Sequence, residues 1–195
     1  MIPGISPSGR DDKEFFEMTK TPLILIWSST LSPKTTSIME LVPIKEILED
    51  NQEFLNNPDC QETLKMSVDY YKTIGYYPPW IGYYAKINRK LVGSAGYKGR
   101  PFNTKIEIAY GTFPDCRAKG IGAEICKQLV TLALKTDPSL IITARTFPEN
   151  NYSTKILEKN GFKLLGMVWD KDDGDVWEWE YSKQNTSNNC KTGFS

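Results

Sequence analysis

The chain has 195 residues, with 24 basic and 24 acidic side chains, a formal net charge of zero and no histidine. That length fits about one domain with its own core. The lack of histidine excludes Ser-His-Asp and Cys-His catalysis and His-ligated zinc or haem, and the balanced charge argues against broad nucleic-acid binding. The four cysteines Cys60, Cys116, Cys126 and Cys190 form no C-x-x-C pair, so no metal site is expected and a reducing, cytoplasmic setting fits. No run reaches the ~18 apolar residues of a membrane span, so no membrane partner is expected. Residues 1–10 lack the apolar core of a signal peptide.

Taken in order, residues 1–20 carry Pro3, Gly4, Pro7 and Gly9 and read as a loose arm. Residues 22–27 read as a strand. The spacing of Ile44, Ile47, Leu48 and Leu55 predicts a helix over 43–56, and that of Leu64, Val68, Tyr71 and Ile74 a helix over 61–75 ended by Gly75. Pro78 and Pro79 block further helix. Residues 80–87 and 91–97 read as a hairpin about Asn88-Arg89-Lys90. Residues 105–113 read as a third strand, alternating Ile106, Ile108 and Tyr110 against Glu107, Ala109 and Gly111. Ile121, Ile125, Leu129, Leu132 and Ala133 make the strongest helix, over 120–135. A short apolar strand over 140–145, a helix over 151–160 stopped by Gly161, and strands over 162–168 and 176–181 follow. Residues 182–195 are polar and read as a disordered tail. The order predicts an α+β domain over 21–181, a mostly antiparallel mixed sheet with one central β-α-β crossover flanked by helices.

Charge is unevenly placed. Residues 70–106 hold seven basic side chains and no acid, whereas 170–180 hold six acids against Lys171. Two solvated hairpins of opposite bias account for this, or one place handles an anion and another a cation.

The chemistry-bearing stretch is Asp115-Cys116-Arg117-Ala118-Lys119-Gly120-Ile121-Gly122-Ala123-Glu124, where a strand ends, glycines follow and an amphipathic helix begins. A helix start offers unpaired N–H groups and the positive dipole end, and glycine lets a phosphate approach that backbone. Arg117 and Lys119 add charge. Ile125 stands where a dinucleotide fingerprint needs its third glycine, and no P-loop is present. A glycine-softened turn before a helix is the plainer alternative for the short motif alone. Cys116 lies beside the cradle but has no histidine to activate it, so packing is its expected role. Trp177 and Trp179 are expected in the core. Tyr70, Tyr71, Tyr76, Tyr77 and Trp80 either line a cleft or fill the core, and core is favoured.

Arg117-x-x-Gly120-x-Gly122 follows the strand IEIAYGTFP, and TFPENNYSTKILEKNGF, residues 146–162, comes some thirty residues later. With LVGSAGYKG before and GDVWEWEY after, the arrangement resembles the GNAT superfamily of acetyl-CoA-dependent N-acetyltransferases. It is most like the branch that includes the ribosomal-protein N-terminal acetyltransferases, over about residues 80–181. The resemblance implies an N-acetyltransferase that moves acetyl from acetyl-CoA to a primary amine, on a small molecule or a peptide N-terminus, by direct attack in a ternary complex. A non-catalytic acetyl-CoA sensor or structural module of the same fold is the alternative. It implies a pyrophosphate cradle of Arg117, Ala118, Lys119, Gly120, Ile121, Gly122 and Ala123. It further implies Glu107 as a base acting through water, and a bulged strand end at Gly111 and Thr112 whose backbone N–H meets the developing oxyanion. Many relatives protonate the leaving thiolate with a tyrosine where this chain has Leu157, which points instead to Ser153. Asn150 would bind the CoA arm. Structural roles compete for each: a surface glutamate, a plain strand end, and helix capping by Ser153 or Asn150. The sequence leaves the oligomeric state open, and a homodimer is only the base-rate choice.

Overall fold

The computed structural model describes residues 38–183, which lie within one compact unit, Thr36–Ser195. The arm expected over 1–20, the strand expected over 22–27, and nearly all of the expected tail fall outside the described residues.

The sheet has seven strands, β1 (Met39–Pro43), β2 (Gly82–Ile87), β3 (Lys90–Tyr97), β4 (Lys105–Thr112), β5 (Ile141–Thr146), β6 (Phe162–Asp170) and β7 (Gly174–Tyr181). Their order is β1-β2-β3-β4-β5-β7-β6. Only β4 and β5 run parallel, joined through helix α3 (Ile121–Thr136), which is the predicted crossover. The β2–β3 hairpin turns at Asn88 and Arg89, with φ of 49° and 68°, the double positive φ of a type I′ turn.

Helix α2 (Pro58–Ile74) starts with proline in its first turn and with the Asn57 side chain accepting a hydrogen bond from Asp59 N, and it ends at Gly75 with φ of 84°. Its buried stripe, Cys60, Leu64, Val68 and Tyr71, docks through two hydroxyls. Tyr84 donates to Cys60 O at 2.7 Å, and Gly82 N donates to the Tyr71 hydroxyl at 2.8 Å. On the opposite face Tyr97 donates to Leu129 O of α3 at 2.7 Å. Strand alternation then divides the sheet. Ala95, Tyr97, Ile106, Ile108 and Tyr110 face α3, and Gly96, Lys98, Glu107, Ala109 and Gly111 face the side of α2. Helix α4 (Tyr152–Lys159) lies beside α3.

The helix expected over 43–56 does not form. Pro43 instead ends β1, paired to β2 as Pro43↔Tyr83, and only a 3-10 turn (Leu48–Asp50) and the one-turn helix α1 (Gln52–Leu55) follow. The reason is Asn51, 2% exposed. Its Oδ1 accepts from Lys45 N at 2.8 Å, and its Nδ2 donates to Lys45 O at 3.1 Å and Ile47 O at 2.7 Å. An amide that serves the backbone this way competes with helical pairing. Asn51→Ala leaves the Lys45 N–H and two carbonyls without that partner. We expect a loss of about 3 kcal/mol, which for a domain of this size is a fall in Tm of roughly 6–12 °C, read by calorimetry.

Candidate functional site

The pairing of β4 with β5 runs from Lys105↔Ile141 to Ile108↔Ala144 and stops, although β4 continues to Thr112. Beyond Ile108 the two strands part. Along one side of the opening runs a groove of about 740 Å³, bounded by the end of β4, the turn into α3 and the outer face of α4.

The α3 end of the groove is built by the predicted cradle. Pro114–Cys116 forms a 3-10 turn, Ala118 takes φ of 59°, and Gly120 caps the helix in the left-handed region at φ of 75°. A Cβ on Gly120 would meet nothing within 4 Å, so the conformation and not crowding calls for glycine there. Gly122 is different: a Cβ would lie 2.8 Å from Ile156 Cδ1 and 3.1 Å from Thr112 Oγ1. This contact seats the first turn of α3 between α4 and β4. Glycine offers no side chain to cap the helix, so the first-turn N–H groups of Ile121, Gly122 and Ala123 face the groove they line. The dipole end adds positive potential. Among the described residues Arg117, Lys155 and Lys159 line the same groove, and no carboxylate does. Lys119 folds back, donating to Asp115 O at 2.9 Å, and so closes the turn. A pyrophosphate fits this set of donors and cations.

At the parting of the strands the backbone supplies further donors. Lys98 N donates to Glu107 O at 2.9 Å and Phe113 N to Val92 O at 3.0 Å. Antiparallel alternation therefore gives the N–H groups of Glu107, Ala109, Gly111 and Phe113 to β3 and turns those of Tyr110 and Thr112 toward the opening. The register of β3 on β4 is unbroken across Gly111 and Thr112. The expected bulge is not there, and the outward N–H groups arise from the loss of β5 as a partner. Gly111 lines the groove with its N–H engaged in the β3 ladder.

Ser153 lines both this groove and a smaller hollow between the parted strands. It does not cap α4. Asn151 is the cap: its Oδ1 accepts from Ser153 N at 2.9 Å and Thr154 N at 3.3 Å, and its own N donates to Thr154 Oγ1 at 3.1 Å. The Ser153 hydroxyl is thus left to the groove. Asn150 is exposed in the turn before the cap and is not among the residues that line the groove. Tyr110 reaches across the opening, with its hydroxyl 3.4 Å from Ser153 O and beside Cys126. Burial pushes this phenol far above its usual pKa, so it remains a neutral donor. Burial likewise pushes the Cys126 thiol up to about 12, which makes it unreactive. Cys116 is buried, as expected for packing.

Glu107 sits on the α2 face in an ion cluster. Its carboxylate lies 2.9 Å from Lys98 Nζ and 3.6 Å from Arg145 Nε, and Arg145 also meets Asp170 at 2.7 Å and Glu178 at 3.7 Å. Burial works against the Lys98 charge, but the Glu107 carboxylate, with Asp170 and Asp173, outweighs it and holds the ammonium above the usual lysine pKa. The basic and acidic stretches of the sequence therefore meet across the sheet. Of the aromatics, Tyr71 and Trp179 are core, Trp179 with its Nε1 donating to Thr146 Oγ1 at 3.0 Å. Tyr70 is 42% exposed and lines a cleft on the α2 face.

Sequence reasoning missed Tyr152, Lys155, Ile156 and Lys159, which present one face of α4 to the groove. Their spacing of i, i+3, i+4 and i+7 carries the signal, and two lysines on that face mark it as anion-facing.

Residues 37–163 match the family described as an acetyltransferase (GNAT) domain. An uncharacterized N-acetyltransferase, YjdG of Bacillus subtilis (strain 168), is 40% identical over 80 residues, which are 40% of this chain and 48% of that protein. The chain thus matches about half the length of this curated relative. Among solved structures, RimL, a ribosomal L7/L12 alpha-N-protein acetyltransferase in complex with coenzyme A, superposes with a TM-score of 0.55 at 16% identity, over 76% of this chain and 95% of that one. The aminoglycoside acetyltransferase AAC(6')-Ib with acetyl-CoA bound gives 0.57 at 21% identity, over 77% and 98%. A chimera of the spermidine N-acetyltransferase SpeG from Vibrio cholerae gives 0.55 at 13% identity, over 73% and 94%. With the seven-stranded sheet and its single crossover, the family match over residues 37–163 establishes that this chain belongs to the GNAT acetyltransferase family.

Proposed function

We propose that this chain is an acetyl-CoA-dependent N-acetyltransferase in which a primary amine attacks the thioester directly within a ternary complex. The observation that carries the reading is the groove at the start of α3, lined among the described residues by three cations and no carboxylate, which opens where β4 leaves β5. Solved proteins of the same fold are described with coenzyme A or acetyl-CoA bound, which supports the same ligand here.

Acetyl-CoA supplies an activated acyl carbonyl and a thiolate leaving group. The first turn of α3 and its cradle, with Arg117, Lys155 and Lys159, hold the pyrophosphate by charge-assisted hydrogen bonds. The extended edge of β4, from Tyr110 to Thr112, lines the cofactor arm. An outward N–H of this edge stabilises the oxyanion of the tetrahedral state, since a preorganised donor away from bulk water is worth most there. The Ser153 hydroxyl, at the junction of groove and hollow, donates a hydrogen bond to the departing sulfur, and the released thiolate takes its proton from solvent. Glu107 takes the proton from the attacking amine through water. Lys98 and Arg145 flank this carboxylate at 2.9 and 3.6 Å and fix its position on β4. The amine must itself be neutral, so the rate rises with pH as the acceptor ammonium loses its proton. Lys119 braces the turn, and Asn150 has no part in this mechanism.

Three measurements check the reading. Arg117→Ala is expected to weaken acetyl-CoA binding by about tenfold or more, the loss of one charge-assisted contact, in isothermal titration calorimetry; unchanged affinity would remove the pyrophosphate assignment. Ser153→Ala is expected to lower kcat by roughly 100-fold with little change in the KM for acetyl-CoA, as for loss of a positioned hydrogen-bond donor. Glu107→Gln is expected to cost a similar factor in kcat/KM. A Glu107→Gln enzyme with the parent kcat/KM would show that the carboxylate serves only the ion cluster.

A further inference from the structure

The cleft on the α2 face is a separate space of about 390 Å³. Its floor is made of small residues on adjacent strands, Ser94 and Gly96 of β3 and Ala109 and Gly111 of β4, and its wall is Met66, Ser67 and Tyr70 of α2. It shares Tyr110 and Gly111 with the cofactor groove, so it reaches the parted strands from the other side of the sheet. Among the described residues its lining holds one charged side chain, Lys98, and no carboxylate. Lys98 also lines a neighbouring hollow of about 460 Å³, where Arg100, Lys105 and Arg145 join it against only Glu107 and Glu178. Both of those carboxylates are within ion-pair distance of Lys98 or Arg145. Lys105 is exposed, and Arg100 lies 5.0 Å over the ring of Tyr77.

From this distribution we infer the acceptor class; the inference rests on the acetyl transfer proposed above. The acceptor carries a single amine on an uncharged body that lies along the small-residue floor, and an anionic group that reaches toward Lys98, Arg100 and Lys105. A polyamine or an aminoglycoside would bring two or more further ammonium groups beside Lys98, Arg100 and Lys105, where like charges repel and, among the described residues, the cleft has no carboxylate to offset them. Those acceptors are named for proteins of this fold, so it is the side chains of this chain that disfavour them. An acidic peptide N-terminus and a free amino acid with an anionic side chain share the required chemistry.

The test measures coenzyme A release by the full chain at saturating acetyl-CoA with five acceptors. These are a neutral-headed peptide followed by Asp and Glu, the same peptide with Lys in their place, free glutamate, spermidine and an aminoglycoside. The acidic peptide or glutamate is expected to exceed the Lys peptide in kcat/KM by at least about tenfold, and whichever of the two is better identifies the source. The double variant Arg100→Glu, Lys105→Glu changes two exposed side chains and is expected to reverse the acidic-to-basic ratio without changing the KM for acetyl-CoA. A preference for spermidine, the aminoglycoside or the Lys peptide, or a ratio unmoved in the double variant, would overturn the inference and leave N-acetyl transfer standing. Binding of acetyl-CoA with no acetylation of any acceptor would overturn the enzyme reading and the inference with it.

Discussion

Everything functional in this fold depends on the point at which one parallel strand pair stops. From Lys105 to Ile108, β4 is paired with β5, and from Ile108 to Thr112 with β3, so beyond Ile108 it has β3 alone. A buried strand edge must satisfy its N–H groups elsewhere, so the parting creates a row of directional donors facing an opening instead of a ladder. Tyr110 and Thr112 are the residues whose N–H groups alternation turns that way. The α3 crossover then delivers a helix start to the same place, and the α4 cap presents Ser153 there. Three independent pieces of local geometry converge because one pairing ends early.

The two faces of the sheet at this point differ in kind. The α3 face is closed by large apolar side chains, Ile106, Ile108, Ile125 and Leu129, all buried, and its helix ends in fixed positive potential. The α2 face beside β3 and β4 is floored by small residues and bordered by the Lys98–Glu107–Arg145–Asp170 cluster. Groove and cleft meet at Tyr110 and Gly111, so one strand of eight residues separates them. In the proposed reaction that division lets a phosphate-bearing donor and a smaller acceptor approach one carbonyl from opposite sides.

The ion cluster shows why a charged residue in the right place is not automatically free to do chemistry. Glu107 is 16% exposed at its side chain and lies between two cations. Lys98 and Arg145 tie together the ends of β3, β4, β5 and the β6–β7 turn, so the carboxylate proposed as a base also serves sheet cohesion.

What the amino-acid sequence by itself determined was local. The apolar stripe of α3, the glycines before it, the β2–β3 hairpin and the Gly75 and Gly161 stops follow from period, propensity and turn chemistry within a few residues. The motif pair of residues 117–122 and 150–162 made the family legible, and with it the cradle. What only tertiary structure decided rests on partners far apart in the chain. Met39–Pro43 is a strand because β2 offers it an edge, and residues 43–56 are not one helix because the buried Asn51 amide holds the loop by its own backbone. Asn151 rather than Asn150 became the cap because the geometry of the α4 start selects one of two adjacent asparagines. Lys155 and Lys159 became groove residues only when α4 was laid against Gly122. Glu107 acquired its ion partners from β3 and β5, residues that no spacing along the chain brings together.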